Sequence, residues 1–287
     1  MDTQNLKTFI LLSDLKNFTQ TAERQYVAQS TVTNRIAELE KEIGKKLFVR
    51  DNKAVSLTEE GLVFLKYAKR IVELEESSVQ EINSLKKYDR VLRIGTTNII
   101  YECHLFSNIS KFMENSNETS VKISIGSSVE LIDMLKDGIL DIVYTFIPFS
   151  KKGYKCSHYA SDKLLLVTNP SNYAYPLGIK KEELTKINYL FCNFPMEEEG
   201  VSVKELFPKF YQFPFEINNS SKVIKYIING TGYSFLPESI VKAYIKAGSL
   251  TVIKTLDFIA PKMNYYCSHK KDFKVIEEFN YKSMEVI

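Results

Sequence analysis

The stretch from Phe18 to Thr58 constrains this chain more than any other. It opens with a short helical run, Thr19 to Gln25, followed by a tight turn at Tyr26 to Ala28 and a second run from Gln29 to about Glu42. In the second run Val32, Ile36, Leu39 and Ile43 recur at helical spacing and share one face. The remaining surface carries Gln29, Ser30, Thr31, Thr33, Asn34 and Arg35, side chains that hydrogen-bond base edges or phosphates. Gly44 suits the left-handed residue that stops a helix. Leu47 to Arg50, a polar tip at Asp51, Asn52 and Lys53, and Ala54 to Leu57 then form a small hairpin. Two helices, a tight turn and a basic-tipped hairpin predict a winged helix-turn-helix, which lays its second helix in a DNA groove.

The segments F-T-Q-T-A, V-A-Q-S-T-V-T-N-R-I-A-E-L-E, I-G-K-K-L-F-V-R and V-S-L-T-E-E-G, in that order and spacing, resemble the N-terminus of LysR-type transcriptional regulators. Ala28 stands where that family usually places a capping Ser or Thr. Further on, D-G-I-L-D-I and N-G-T-G-Y-S-F-L-P are similar to the family's effector-binding half, itself similar to periplasmic solute receptors. The resemblance implies a DNA-binding regulator that dimerises through a linker helix and binds small effectors, often carboxylates. It allows a homodimer or homotetramer, and RNA polymerase as a further partner.

Composition sets the wider bounds. The 287 residues have room for two or three domains, and a net charge of +3 does not by itself imply nucleic acid. From Arg24 to Lys53, however, seven basic residues face four acidic ones, which suits phosphate contacts. No apolar run is long enough for a membrane span, and the chain starts directly with helical pattern, so a cytoplasmic protein is expected. Cys103, Cys156, Cys192 and Cys267 are scattered without a CxxC, which argues against a disulfide framework.

The order of patterns predicts an α/β chain in three parts. Residues 1–58 form the winged helix-turn-helix, an all-α-type domain; residues 59–90 form a linker and dimerisation helix; residues 91–287 form a two-lobed α/β effector domain like a periplasmic binding protein. On the linker, Leu65, Ala68, Val72, Val79 and Ile82 alternate at spacings of three and four, a seam that calls for a partner helix. From Val91 the pattern alternates strand and helix, giving lobe I as 91–160 with 268–287 and lobe II as 161–267.

No GxGxxG, P-loop, GxSxG or HExxH motif is present, and the carboxylates show no catalytic spacing, so neither an enzyme nor a cofactor is expected. In open α/β sheets ligands sit beyond the carboxyl ends of strands, against helix N-termini. That rule selects Thr97 and Asn98, Ser127 and Ser128, and Thr145 and Phe146, with Asn193 and Thr231 facing them from lobe II. A small, anionic metabolite is the expected ligand. In the DNA-binding half, Gln29, Thr33, Asn34 and Arg35 are expected at bases and Arg50 and Lys53 at phosphates.

Two alternatives stay open. Cys156 and His158 lie at one crossover and Cys267 and His269 at the other; were these faces to meet, the protein would be a metal- or thiol-responsive regulator. The pairs lack finger spacing, so no metal site is assigned, and Cys103-His104 stands apart from both. The second alternative is a metabolite-binding protein without a primary DNA role.

Overall fold

The computed structural model describes residues 1–51, 54–84, 88, 90–116, 118–172, 174–192, 203–217, 220–273 and 279. Lys53 and Asn193 lie outside the described residues, as do the tip residue Asn52 and the end of the linker at Lys86 and Lys87. The chain divides into two compact units, Met1–Lys86 and Lys87–Ile287.

In the first unit, α1 (Thr3–Leu15), α2 (Phe18–Gln25) and α3 (Gln29–Ile43) precede a hairpin of β1 (Phe48–Asp51) and β2 (Ala54–Leu57), and α4 (Glu59–Ser84) follows. Asp2 caps α1 and Asn17 caps α2 through side-chain acceptance of backbone N–H groups. Ala28 offers α3 no side-chain cap, yet the helix begins at the next residue, the Thr31 and Val32 N–H groups donating to the Ala28 carbonyl. Gly44 ends α3 at φ +73°, its N–H donating to the Glu40 carbonyl. The face expected to be apolar is buried: Val32, Ile36 and Leu39 are fully inaccessible, and Ile36 and Leu39 pack with Leu6, Phe9, Leu12 and Leu47. Each such side chain contributes about 1.5–3 kcal/mol relative to exposure.

The seam on α4 is divided. Ala68 and Val72 are buried in the core of the winged domain, with Phe64, Leu65 and Ile71 packed beside them. Val79 and Ile82, about two and three turns beyond Val72, are exposed, as are Val63, Tyr67 and Leu74 on a neighbouring stripe. The expectation of one continuous seam for a partner helix is therefore corrected: its first half belongs to the chain's own first domain. Gly61 is required where α4 begins, since a Cβ there would lie 2.2 Å from the Leu47 carbonyl oxygen.

The second unit is built on one seven-stranded sheet in the order Thr251–Val252, Tyr154–Thr168, Lys262–Lys270, Ile142–Thr145, Arg90–Thr96 and Thr119–Ile125, with Tyr233–Pro237 also paired to Tyr154–Thr168. In lobe I, β3 (Arg90–Thr96) lies parallel to β4 (Thr119–Ile125) and β5 (Ile142–Thr145). Between β3 and β4 the chain passes through α5 (Asn98–Ile100), a π-helical turn (Tyr101–Leu105) and α6 (Phe106–Asn115); α7 (Ser128–Lys136) joins β4 to β5. The crossovers are the long antiparallel strands β6 (Tyr154–Thr168) and β11 (Lys262–Lys270), which run side by side. Lobe II holds β7 (Leu190–Cys192) parallel to β8 (Phe215–Ile217), then α8 (Ser220–Ile228), β9 (Tyr233–Pro237), α9 (Glu238–Lys246) and β10 (Thr251–Val252). No described helix is long and apolar enough to cross a membrane.

Candidate nucleic-acid interface and sensor site

On α3 the buried face fixes what the other face can do. Gln29, Ser30 and Asn34 are exposed, and Thr31 and Thr33 are half-buried at its border. Among the described residues, Gln29, Ser30 and Asn34 make no side-chain hydrogen bond within the protein, so their donors and acceptors are open to a partner. Arg35 is different. Its guanidinium donates to Thr8 Oγ1 and to Gln25 Oε1, both at 3.2 Å, and Thr8 Oγ1 donates to Gln25 Oε1 at 2.9 Å. This triangle clamps α3 to α1 and α2. Nothing in the spacing of Arg35 distinguished a clamp from a base reader; the signal is Thr8 and Gln25, polar residues set toward the helix contacts.

The wing is positioned by Glu40, which no sequence motif singled out. Its carboxylate is 8% exposed and accepts from the Leu47 N–H at 2.9 Å, the Phe48 N–H at 3.3 Å and Lys46 Nζ at 2.6 Å. Burial opposes ionisation there, but the Lys46 and backbone hydrogen bonds outweigh it and hold the carboxyl below its ordinary value. Arg50 lies on β1 opposite Val55.

In the sensor, the register brings most of the expected ligand residues to one edge. Thr96 pairs with Ile125 and with Tyr144, so Thr97 and Asn98, Ser127 and Ser128, and Thr145 and Phe146 all follow the carboxyl ends of β3, β4 and β5. Most of their polar groups already have work within the protein. Thr97 caps α5, and Ser127 forms a capping box with Glu130 on α7. Ser128 Oγ accepts from the Phe146 N–H at 3.2 Å, and Thr145 Oγ1 donates to the Ile147 carbonyl at 2.8 Å. Asn98 donates to Glu102 at 3.1 Å, and Glu102 also accepts from Ser221 of α8, linking lobe I to the start of a lobe II helix. Thr231 is not brought to this edge. It lies past the C-terminus of α8, at the end of that helix opposite Ser221 and about 10 Å of helix away from it, and its carbonyl accepts from Asn188.

The register also overturns the paired Cys/His arrangement. Opposite His158, Ser157, Cys156 and Lys155 stand Tyr266, Cys267, Ser268 and His269 in turn. Directly opposed residues share a face and successive ones alternate, so Cys156 and His158 face away from Cys267 and His269. Burial pushes the Cys267 thiol up to about 12, which removes it as a reactive thiolate.

Comparison with known proteins now decides the family. Residues 3–62 match the model of the bacterial regulatory helix-turn-helix protein, lysR family, and residues 86–275 match the LysR substrate binding domain. The chain belongs to the LysR family of transcriptional regulators. This LysR-type regulator is 30% identical over 247 residues to the HTH-type transcriptional regulator CitR of Bacillus subtilis (strain 168), covering 84% of each chain. It is also 30% identical over 261 residues to the uncharacterized HTH-type transcriptional regulator YwqM of the same organism, covering 87% of each. Its fold matches that of CbnR, a LysR family transcriptional regulator, with a TM-score of 0.73 at 18% identity over 99% of this chain and 98% of the other. The resemblance carried by both halves of the sequence is thus a family match over nearly the whole length, and the regulator is a DNA-binding one.

Proposed function

We propose that this regulator reads an inverted-repeat promoter site as a homo-oligomer and responds to a small anionic metabolite held between the lobes of its sensor. The observation that carries the DNA half is the exposed, unbonded row Gln29, Ser30 and Asn34 on a helix whose opposite face is locked in the core. Those three, with Thr33, contact base edges; Thr31, Arg50 and Lys53 contact phosphates; Arg35 positions the helix through Thr8 and Gln25. The exposed Val79 and Ile82 supply an apolar stripe on α4 for a second copy, and two copies fit two half-sites about one DNA turn apart. A solved structure of full-length CbnR with its target DNA, 19% identical, is among the matches to this fold.

The ligand half is supported by the gathering of Thr97, Asn98, Ser127, Ser128, Thr145 and Phe146 at one strand edge, next to the N-terminus of α7. An anion there shifts the balance between lobe arrangements by its difference in affinity for them, and so shifts DNA affinity. Selection of bound sequences from random duplexes tests the whole reading. An inverted repeat should emerge, and its retention should change when small carboxylates are added. Enrichment of no sequence at low salt would favour a metabolite-binding protein without a primary DNA role.

A further inference from the structure

Cys103-His104, left unassigned by the sequence motifs, becomes part of a cluster in the fold. The π-helical turn Tyr101–Leu105 widens the backbone where α5 would otherwise run into α6. Such turns are rare and concentrate at functional sites. Here the turn directs two adjacent side chains, Cys103 and His104, at one carboxylate, Asp162 on β6. His104 Nε2 lies 2.7 Å from Asp162 Oδ2, and the Cys103 Sγ, the His104 ring nitrogen and the Asp162 oxygen lie within 4.8 Å of one another. Among the described residues this is the one Cys/His/Asp/Glu group of three gathered so closely.

The surroundings resemble the outer shell of a metal site. The other carboxylate oxygen, Oδ1, accepts from the Ser239 N–H at 3.1 Å and Ser239 Oγ at 2.5 Å, at the start of α9. Those bonds fix the carboxylate plane while leaving Oδ2 toward His104 and Tyr265, as partners of ligating carboxylates do. Asp162 is buried, whereas His104 is one-fifth exposed, which gives an ion a path in and a water a place to coordinate.

We infer that Cys103, His104 and Asp162 form a binding site for a divalent transition ion of the zinc type. One thiolate, one imidazole and one carboxylate make a borderline donor set that zinc and cobalt accept and that magnesium and calcium do not. Bonds of about 2.0–2.3 Å place tetrahedral ligands roughly 3.2–3.8 Å apart, so His104 Nε2 and Asp162 Oδ2, now 2.7 Å apart, need to part slightly, while no donor pair starts more than 4.8 Å apart. Burial and the neighbouring Asp162 hold the Cys103 thiol protonated when no ion is present. Binding releases that proton to solvent, and the proton by which His104 Nε2 bonds Asp162 Oδ2 must leave that nitrogen, the ring keeping one on Nδ1, for Nε2 to coordinate. Because the ligands join the lobe I helix to a strand running between the lobes, the ion and the lobe arrangement are thermodynamically linked.

The test uses the reduced, chelator-treated full-length protein titrated with Co²⁺ in the absence of DNA. The site predicts a thiolate-to-cobalt charge-transfer band with tetrahedral d–d absorption, saturating at one ion per chain and erased by one equivalent of Zn²⁺. Cys103→Ser removes the charge-transfer band, and Ser239→Ala weakens the affinity by about 10–100-fold. Cys156→Ser with His158→Ala changes neither. Should Cys103→Ser fail to fold, His104→Gln serves instead, with the d–d bands shifted and the sulfur band retained. Absence of saturable binding by the wild-type protein, or a charge-transfer band that survives in folded Cys103→Ser, overturns the assignment.

Discussion

Gln29, Ser30 and Asn34 at the start of α3 and Thr97, Ser127 and Ser128 at the strand ends of the sensor are chemically similar groups in opposite situations. The first three stand exposed, without a protein hydrogen bond among the described residues. The second three cap helices or hold a neighbouring backbone N–H. A surface that reads an outside partner at one moment must be left unsatisfied in advance, whereas a sensor edge has to stand by itself until its ligand arrives. The same residue types are therefore left open to a partner on α3 and give structural support at the strand ends. A ligand at that edge must offer partners to groups that already have them.

Substitutions can break this comparison, the largest effect coming from the scaffold below α3. Phe9→Ala should lower the stability of the winged domain by about 3–5 kcal/mol, since Phe9 is fully buried against Phe48 and Phe64. A two-step thermal melt in which only the DNA-binding transition moves would check it, and an unmoved transition would contradict the packing described. Next comes Glu40→Gln, which loses a charge acceptor for two backbone N–H groups and costs about 1–3 kcal/mol. The sign with pH follows from the lowered Glu40 carboxyl. Its stabilisation is full above the ordinary value of about 4.3 and is lost as pH falls through the folded-state value. Denaturation of both proteins between pH 7 and pH 3 should thus converge at the acid end.

The two kinds of polar residue separate in the next pair. Asn34→Ala should cost about 1–3 kcal/mol of discrimination between duplexes with an unchanged melting point. Arg35→Ala should lower both DNA affinity and the melting point, because it removes the clamp onto Thr8 and Gln25. In the sensor, Ser128→Ala should behave like Arg35→Ala rather than Asn34→Ala: about 1 kcal/mol of stability is lost along with any ligand response. The smallest expected change is a gain. Ala28→Ser supplies the missing cap of α3 and should add up to about 1 kcal/mol if the serine bonds the first-turn N–H groups.

Legibility in the sequence follows the same division. The winged domain was readable because its signals are local: helical spacing of Val32, Ile36 and Leu39, a glycine stop at Gly44, and a short hairpin. The alternating strands and helices of the sensor were readable for the same reason, and the capping box at Ser127 and Glu130 lies within four residues. The sequence could not show what each side chain meets across long separations. Arg35 finds Thr8 27 residues away, His104 finds Asp162 58 residues away, and Asp162 meets Tyr265 after another 103. Pairing register was equally hidden. A single-residue step decides whether Cys156 and Cys267 share a face of the β6–β11 ladder, and they do not. The seam of α4 misled in a milder way, because its regular spacing does not mark the point where the domain's own core ends and the exposed stripe begins.

The central claim is that the exposed face of α3 reads sequence while its buried neighbours only hold it in place. Fluorescence anisotropy of a selected duplex and a scrambled one, with the wild-type protein and Gln29→Ala, Asn34→Ala, tests it most directly. The account predicts that the double variant binds both duplexes with the weak affinity the wild type shows for the scrambled one, with an unchanged melting point. Undiminished preference of the double variant for the selected duplex would contradict it.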